Sequence, residues 1–261
     1  MKKAVFALLA ALTIMGCGKA EESQAAKTAP EAAKPAAEEG DKAVRARLEK
    51  DFPDFKDAKI EPSPIPGIYE ISTGSVVGYL TGDGEYLFDG SLVELDSKTN
   101  LTETRRNDWR KAQVEAIKEQ DMLVFEPKKV EHTITVFTDP QCGYCKKFQG
   151  DMDGYLAEGI RVRYMFVPIF GDESKKLSQN VWCAKDQKKA MTEIMAGKKI
   201  EDKTCDNPLE RHVAIAAEMG IRGTPGILAE DGRLLRGYMP PQMLKAELEG
   251  KPLEDQAPPK T

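Results

Sequence analysis

Two cysteines separated by Gly143 and Tyr144 constrain the fold more than any other feature of the sequence. They follow the run 132–137, whose β-branched and aromatic residues predict a buried strand, and they precede residues with the apolar spacing of a helix. Cys142 therefore stands at the start of a helix, where free amides and the helix dipole favour a thiolate. We predict that Cys142 is a nucleophile and that Cys145, one turn further on, is the resolving thiol.

A Cys-x-x-Cys pair can also be half of a zinc site or a plain disulfide. A zinc site would need a second closely spaced pair, whereas Cys183 and Cys205 are 22 residues apart (205 − 183). Redox chemistry is therefore the favoured interpretation, and we expect neither a metal nor a cofactor. For Cys183 and Cys205 we favour a structural disulfide worth about 3 kcal/mol in chain entropy. A second redox pair is the alternative.

The first seventeen residues have the pattern of an export signal, because two lysines precede a short apolar stretch at 4–15. The tetrapeptide Ile14-Met15-Gly16-Cys17 resembles a bacterial lipobox, in which Cys17 would be acylated. The alternative is cleavage near Ala20. Either outcome leaves four cysteines, an even number that suits an oxidising compartment. No apolar run is long enough for a membrane-spanning helix, so a lipid on Cys17 is the one membrane attachment that we expect.

Residues 18–40 predict a disordered tether. They contain eight Ala and five Glu but no Val, Ile, Leu, Met or aromatic residue, so they have little apolar surface to bury. Some helicity is compatible with this composition, since Ala, Glu and Lys are good helix formers. The net charge is −5 and there is no long run of Lys and Arg, so the sequence predicts no basic patch that would bind nucleic acid.

Residues 41–100 predict a small domain that consists of one helix and an antiparallel meander. Asp41 is a candidate helix N-cap, and Val44, Leu48 and Phe52 follow on one helix face. Turn signals such as Gly82-Asp83-Gly84 separate β-prone runs at 67–72, 75–81, 85–89 and 91–95. About sixty residues make a small core, so we expect this domain to gain stability by dimerising.

The rest of the chain predicts a linker helix at 101–120, a catalytic domain at 121–250 and a short tail at 251–261. In the catalytic domain the order is β-α-β, a helical insertion, and then α-β-β-α. The predicted strands are 132–137, 161–169, 226–229 and a run to 236 after a turn at Asp231-Gly232; the helices are a stretch through Leu156, 173–195, 209–219 and 241–248.

Thr224-Pro225 stands just before a strand that follows the last core helix. That position resembles the cis-proline loop which thioredoxin-like proteins hold against their Cys-x-x-Cys pair. Such a loop would offer backbone hydrogen bonds to an extended substrate segment. We expect structural roles for His132 and His212, core positions for the methionines, and solvent exposure for at least one of the lysines that follow Cys145.

Several separated motifs together resemble one family, the DsbC-type bacterial periplasmic disulfide isomerases. They are Ile134-Thr135-Val136-Phe137-Thr138-Asp139-Pro140-Gln141-Cys142-Gly143-Tyr144-Cys145, Trp182-Cys183-Ala184-Lys185-Asp186, Gly223-Thr224-Pro225, Gly237-Tyr238-Met239-Pro240-Pro241 and Tyr79-Leu80-Thr81-Gly82-Asp83-Gly84. The resemblance runs from about residue 41 onward. It implies an α+β chain: a cystatin-like dimerisation domain, a linker helix, and a thioredoxin-like α/β domain with a helical insertion.

The resemblance also implies a V-shaped homodimer whose apolar cleft holds misfolded, disulfide-containing exported proteins. It implies that a DsbD-type membrane reductase keeps Cys142 and Cys145 reduced, and that Gly143, Tyr144, Thr224 and Pro225 support them. The pairing of Cys183 with Cys205 matches the family's second disulfide. The dipeptide Gly143-Tyr144 is the isomerase-like version, whereas the related DsbG branch usually carries Pro-Tyr.

The expected function is therefore reshuffling of incorrect disulfides in the periplasm, with tethering to the outer membrane if Cys17 is lipidated. Two alternatives keep the same architecture. One is a net thiol reductase or oxidase, and the other is a chaperone that holds unfolded chains and uses its thiols little.

Overall fold

The computed structural model describes residues 34–251. The predicted export signal, Cys17, residues 18–33 of the predicted tether and residues 252–261 lie outside the described residues. Within the described range, none of the helices combines the length and the apolar character that crossing a membrane requires.

The N-terminal part is a helix packed on a four-stranded antiparallel sheet. The helix is α1 (Lys34–Asp51), and the strands, adjacent in chain order, are β1 (Lys59–Pro62), β2 (Ile68–Thr73), β3 (Val76–Thr81) and β4 (Leu87–Phe88). Val44 and Leu48 of α1 pack against Ile71 and Leu80 of the sheet. Along β2 and β3 roughly every second side chain is buried, so one face of the sheet is covered. Helix α1 packs on that face and shields it from solvent.

Several elements in this part differ from the prediction. Helix α1 begins at Lys34, so the predicted tether of 18–40 is too long; Ala and Glu propagate a helix whose later turns are already packed on the sheet. Strand β1 was not predicted, because Glu61 and Pro62 break its apolar alternation. The predicted strand 91–95 shortens to β5 (Val93–Glu94), which pairs with β6 (Thr99–Asn100) in a separate two-stranded sheet.

Helix α2 (Leu101–Glu115) contacts both halves of the chain. Asn100 caps it by accepting a hydrogen bond from the Glu103 amide at 3.0 Å. On one side Arg105 bridges Glu61 and Glu70 of the N-terminal sheet, at 2.5 and 2.6 Å.

On its other side α2 reaches the C-terminal half, where Arg110 donates to the carbonyl of Met219 at 3.2 Å. The helix ends at Glu115, five residues before the predicted end of the linker helix, because Ile117 turns into the C-terminal core. A 3₁₀ turn, Glu119–Asp121, completes the connection.

The C-terminal half is built on a five-stranded sheet with the order β11-β10-β8-β9-β7. The strands are β7 (Leu123–Phe125), β8 (His132–Thr138), β9 (Ile160–Phe166), β10 (Gly226–Ala229) and β11 (Leu234–Leu235), and the helices are α3 (Gly143–Gly150), α4 (Met152–Ala157), α5 (Asp172–Trp182), α6 (Gln187–Met195), α7 (Leu209–Glu218) and α8 (Pro241–Leu248). Only β8 and β9 run parallel, and α3 with α4 forms the crossover between them. The unpredicted β7 is three residues long, too short to show a pattern.

The core of this half lies on both faces of β8. Ile134 and Val136 are fully buried toward α3 and α4, where the Phe148 ring stacks on Tyr155 with centroids 4.3 Å apart. Phe137 belongs to a second cluster with residues of α2 and α7. The four methionines at 152, 165, 191 and 195 are buried among these groups. A strand apolar on both faces is what a central position requires.

The β10–β11 hairpin turns at Gly232, which has a φ of +86°. A Cβ atom on Gly232 would lie 1.9 Å from the carbonyl oxygen of Asn107 in α2. Glycine is therefore required here both by its backbone conformation and by the close approach of α2.

The helical insertion is two helices rather than the single predicted region 173–195. Helix α5 ends at Trp182, and Asp186 caps α6 by accepting a hydrogen bond from the Lys189 amide at 3.0 Å. Between them, Cys183 forms a disulfide with Cys205, the pairing implied by the family resemblance. This bond ties the end of α5 to the segment before α7.

Removing that bond should destabilise the protein without altering thiol chemistry elsewhere. The variant Cys183→Ala/Cys205→Ala opens a loop of 22 residues, which predicts a free energy of unfolding lower by about 3 kcal/mol in urea titration. A reductant should lower the free energy of unfolding of wild type toward the same value and leave that of the variant unchanged. A variant as stable as the oxidised wild type would contradict a stabilising role.

His212 is buried and uncharged. Its Nδ1 accepts the Phe166 amide hydrogen at 3.0 Å, so its Nε2 donates to the Asp121 carbonyl at 2.7 Å. Burial lowers the pKa of His212 from 6.5 to about 4. The other histidine, His132, is half-buried beside Glu230 at 3.3 Å. The expectation of structural roles for both histidines fits these contacts.

The depressed pKa of His212 predicts a loss of stability in acid. Between pH 6.5 and 4 the unfolded chain binds a proton that the folded protein excludes, so the stability present above 6.5 falls as pH drops toward 4. One pKa unit is about 1.4 kcal/mol, so this group contributes roughly 3 kcal/mol to that loss. In urea titrations across this range, the free energy of unfolding of His212→Gln should depend less steeply on pH than that of wild type. Equal slopes in the two proteins would refute this assignment.

Candidate active site

The Cys-x-x-Cys pair lies at the junction between β8 and α3. After β8 ends at Thr138, a short loop leads to Cys142, which occupies the N-cap position of α3. The Cys142 amide donates to the Asp139 carbonyl at 3.1 Å, and the Cys145 amide points at the Cys142 sulfur at 3.4 Å. A thiolate formed on Cys142 would therefore accept a backbone hydrogen bond that is already in place.

The loop that contains Thr224 and Pro225 faces the same sulfur. Strand β10 pairs antiparallel with β8, with Gly226 opposite Phe137, and this register brings the loop beside the start of α3. The Thr224–Pro225 peptide bond is cis, and the Cys142 thiol donates to the Thr224 carbonyl at 3.1 Å. A substrate segment that lies along this loop would pass directly over Cys142.

The two thiols differ in accessibility. Both are free thiols and both are buried; Cys142 keeps 6% of its surface exposed, and Cys145 keeps 1%. Burial raises the pKa of Cys145 to about 12, so this thiol is protonated at neutral pH. Since thiolates rather than thiols attack disulfides, Cys142 is the group of this pair that can react first.

The two residues between the cysteines lie on the rim of the site. Tyr144 is exposed over 66% of its surface, and its ring stacks on Tyr238 with centroids 6.5 Å apart. The Lys147 ammonium lies 4.5 Å above the Tyr238 ring, so this lysine is engaged with an aromatic face. A Cβ atom on Gly143 would meet nothing within 4 Å, and the structure gives this glycine no steric role.

Asp139 organises the site and was missed by the sequence analysis. Its buried carboxylate accepts hydrogen bonds from the Gln141 amide at 2.7 Å, the Ile169 amide at 2.6 Å and the Ser174 hydroxyl at 2.8 Å. These bonds tie the loop before Cys142 to the segment before α5 and to the first turn of α5. The signal in the sequence was an Asp-Pro pair directly after a buried strand, where a short acceptor often fixes a loop.

The structure thus brings Cys142, Cys145, Thr224 and Pro225 together, with Gly143 and Tyr144 beside them. The Cys183–Cys205 disulfide lies in the helical insertion instead, as a separate bond. The lipidation candidate Cys17 is outside the described residues.

Comparison with protein families assigns both halves of the chain. Residues 119–251 match the thioredoxin-like domain, and residues 25–103 match the disulfide bond isomerase protein N-terminal domain. A solved disulfide interchange protein from Neisseria gonorrhoeae is 23% identical, and its match covers 52% of this chain and 98% of that one with a TM-score of 0.47.

Curated relatives match along most of their length. The thiol:disulfide interchange protein DsbC of Escherichia coli K12 is 36% identical over 197 residues, which are 75% of this chain and 82% of that protein. The DsbC protein of Salmonella typhimurium is 36% identical over 211 residues, 80% of this chain and 87% of that protein. With a reduced thiol pair at the strand-to-helix junction, this chain belongs to the DsbC family of thiol:disulfide interchange proteins and is a thiol-disulfide oxidoreductase.

Proposed function

We propose that the protein is a disulfide isomerase that reshuffles incorrect disulfides in exported proteins. The observation that carries this proposal is the unequal pair of thiols. Cys142 keeps 6% of its surface exposed and lies against the Thr224–Pro225 loop, whereas Cys145 keeps 1% and is protonated. Gly143 and Tyr144 occupy the rim that a bound substrate would touch.

The reaction starts when the Cys142 thiolate attacks one sulfur of a substrate disulfide. A bond forms between Cys142 and that sulfur, the substrate disulfide breaks, and the second substrate sulfur leaves as a thiolate. That thiolate, or another in the same substrate, then opens a different disulfide. When a substrate thiolate finally attacks the sulfur bound to Cys142, the enzyme is released reduced and no net oxidation has occurred.

Cys145 provides an escape from a stalled intermediate. It attacks Cys142, forms the Cys142–Cys145 disulfide and releases the substrate with one of its disulfides reduced to thiols. The enzyme is then oxidised, so a dithiol reductant must reset it; we propose a membrane reductase of the DsbD type. Because the pKa of Cys145 is raised to about 12, this escape is slow at neutral pH, and the substrate has time to rearrange.

A homodimer is the proposed assembly, formed through the N-terminal sheet. Strand β4 is one of the two edges of that sheet, with Leu87 and Phe88 about half exposed. Beside it, a cavity of about 210 Å³ is lined by apolar residues of α1, β2 and β3. An apolar sheet edge invites pairing with another chain, and a second copy would cover both features.

The proposed location is the periplasm, with a tether to the outer membrane if Cys17 is acylated. The support is the charged and apolar pattern of the first seventeen residues and the lipobox-like Ile14-Met15-Gly16-Cys17. Mass spectrometry of the mature N-terminus distinguishes the outcomes, since acylated Cys17 and a free Ala20 differ in both start residue and mass.

Isomerase and reductase activities separate in one assay without added reductant. A catalytic amount of reduced enzyme is mixed with an excess of a protein that carries scrambled disulfides. The proposal predicts many turnovers to the native pairing with no lasting gain in free thiols on the substrate protein. A net reductase would instead oxidise its own Cys142–Cys145 pair once, place two new thiols on the substrate for each enzyme molecule and then stop, which would overturn the proposal.

A holding function for unfolded chains is the second candidate. Tyr144, Ile169 and Phe170 are exposed over at least half of their surfaces around the active site, where they can contact apolar segments. If holding is independent of thiol chemistry, Cys142→Ala/Cys145→Ala should still suppress aggregation of a cysteine-free unfolded protein.

A further inference from the structure

A polar groove of about 580 Å³ opens directly beside the active site. Pro140 and Gln141, which precede Cys142, form one end of its lining together with Lys146. Helix α5 and the segment 197–202 form the other walls. The groove therefore begins at the residue next to the nucleophile and runs away from it along the helical insertion.

The charge of this groove is opposite to that of the whole chain. Its lining contains four lysines (Lys146, Lys176, Lys198 and Lys199) against Glu173 and Asp202, a local balance of 4 − 2 = +2 in a chain of net charge −5. Such a local reversal of sign in a concave surface attracts ligands of the opposite charge.

One of the lysines is neutralised and three are not. Lys176 forms an ion pair with Asp202 at 2.7 Å, and Asn180 also donates to that carboxylate at 2.8 Å. In residues 34–251, by contrast, Lys146, Lys198 and Lys199 are exposed and make no ion pair.

Lys146 also differs from its neighbour in the sequence. Lys147 lies over the Tyr238 ring on the rim of the site, whereas Lys146 lines the groove. The active-site helix therefore directs one of its two adjacent cations to an aromatic partner and contributes the other to a surface with unsatisfied positive charge.

We propose that this groove binds acidic residues of the substrate chain close to its disulfide, and that Lys146, Lys198 and Lys199 set this preference. An extended chain advances about 3.3–3.6 Å per residue, so a carboxylate two to four positions from the attacked cysteine would reach the groove. The inference rests on the proposed function, because it concerns which substrate disulfides Cys142 reaches fastest. It adds a charge preference to a site whose other wall is formed by Thr224 and Pro225, neither of which carries a charge.

Three disulfide peptides test the preference. They are identical except that two of the positions two to four residues from one cysteine carry Glu, Gln or Lys. With the reduced mature chain at low ionic strength, we expect the Glu peptide to be attacked roughly threefold to tenfold faster than the Gln peptide, and the Lys peptide to be slowest. In about 0.5 M salt the three rates should converge, because exposed charges are screened there.

Matched variants locate the effect. Lys198→Gln/Lys199→Gln should bring the ratio of the Glu to the Gln rate close to one, whereas Lys198→Arg/Lys199→Arg should preserve it. Lys185→Gln/Lys189→Gln removes the same charge from exposed positions of the insertion that do not line the groove, and should retain the wild-type ratio.

The outcomes separate this inference from the proposed function. Three results would each overturn the proposed charge preference of the groove. They are equal rates for the Glu and Gln peptides in wild type, an unchanged rate ratio in Lys198→Gln/Lys199→Gln, and an equal fall of that ratio in Lys185→Gln/Lys189→Gln. If no peptide of any charge is attacked by the reduced protein, the proposed function itself fails, and the groove assignment with it.

Discussion

The variant Cys145→Ala should accumulate mixed disulfides with its substrates. Cys142 keeps its N-cap position and its contact with Thr224, so attack on a substrate disulfide is unimpaired. The intramolecular escape is lost, and stalled intermediates then wait for a substrate thiol. After rapid acid quenching, non-reducing gels of cells that express this variant should show reducible adducts that are several-fold more abundant than with wild type.

Two further variants identify the sulfur that carries the adduct. Cys142→Ala and Cys142→Ala/Cys145→Ala should give no adducts, because a Cys145 thiol that is buried and has a pKa of about 12 does not attack an external disulfide. Adducts formed by Cys142→Ala would assign the nucleophile to Cys145 and would reverse the roles derived from the structure.

A carboxylate on strand β4 should abolish both dimerisation and isomerisation. In the proposed dimer Phe88 is covered by the second copy, and an Asp there would have to be buried without a partner. We expect Phe88→Asp to weaken the association by roughly 100-fold or more, seen as a monomer in sedimentation velocity. Reduction of a small disulfide peptide should survive, because each chain carries a complete thiol pair.

Controls distinguish a broken interface from a damaged fold. Tyr86→Asp changes a side chain exposed over 63% of its surface beside β4, so it should separate the copies while leaving the monomer folded. Val213→Asp places the same charge on an exposed apolar position of α7 in the C-terminal half, and should remain dimeric. A stable dimer in both Phe88→Asp and Tyr86→Asp would place the interface elsewhere.

The active-site framework was readable from the sequence because its signals are local. A β-branched run, a Cys-x-x-Cys pair and a helical spacing follow each other within residues 132–156, and the structure has β8, α3 and α4 there. The helix is interrupted at Asp151, however, which the apolar spacing of Phe148 and Met152 did not reveal.

Other features depend on contacts between distant parts of the chain. The end of α2 at Glu115 is set by burial of Ile117 among residues of β9 and α7, and no local stop signal marks it. The role of Asp139 becomes visible only in the folded chain, where the Ile169 amide and the Ser174 hydroxyl donate hydrogen bonds to its carboxylate. The groove likewise unites Lys146 with Lys198 and Lys199, which are remote in the sequence and adjacent in the fold.

Reactivation of ribonuclease with scrambled disulfides tests the central claim most directly. The chain from residue 20 onward and its Cys142→Ala variant are compared in a glutathione buffer, with the buffer alone as the reference. The account predicts recovery of ribonuclease activity well above the buffer rate with wild type, and recovery at the buffer rate with Cys142→Ala. Equal acceleration by the two proteins would contradict Cys142 as the nucleophile of a disulfide isomerase.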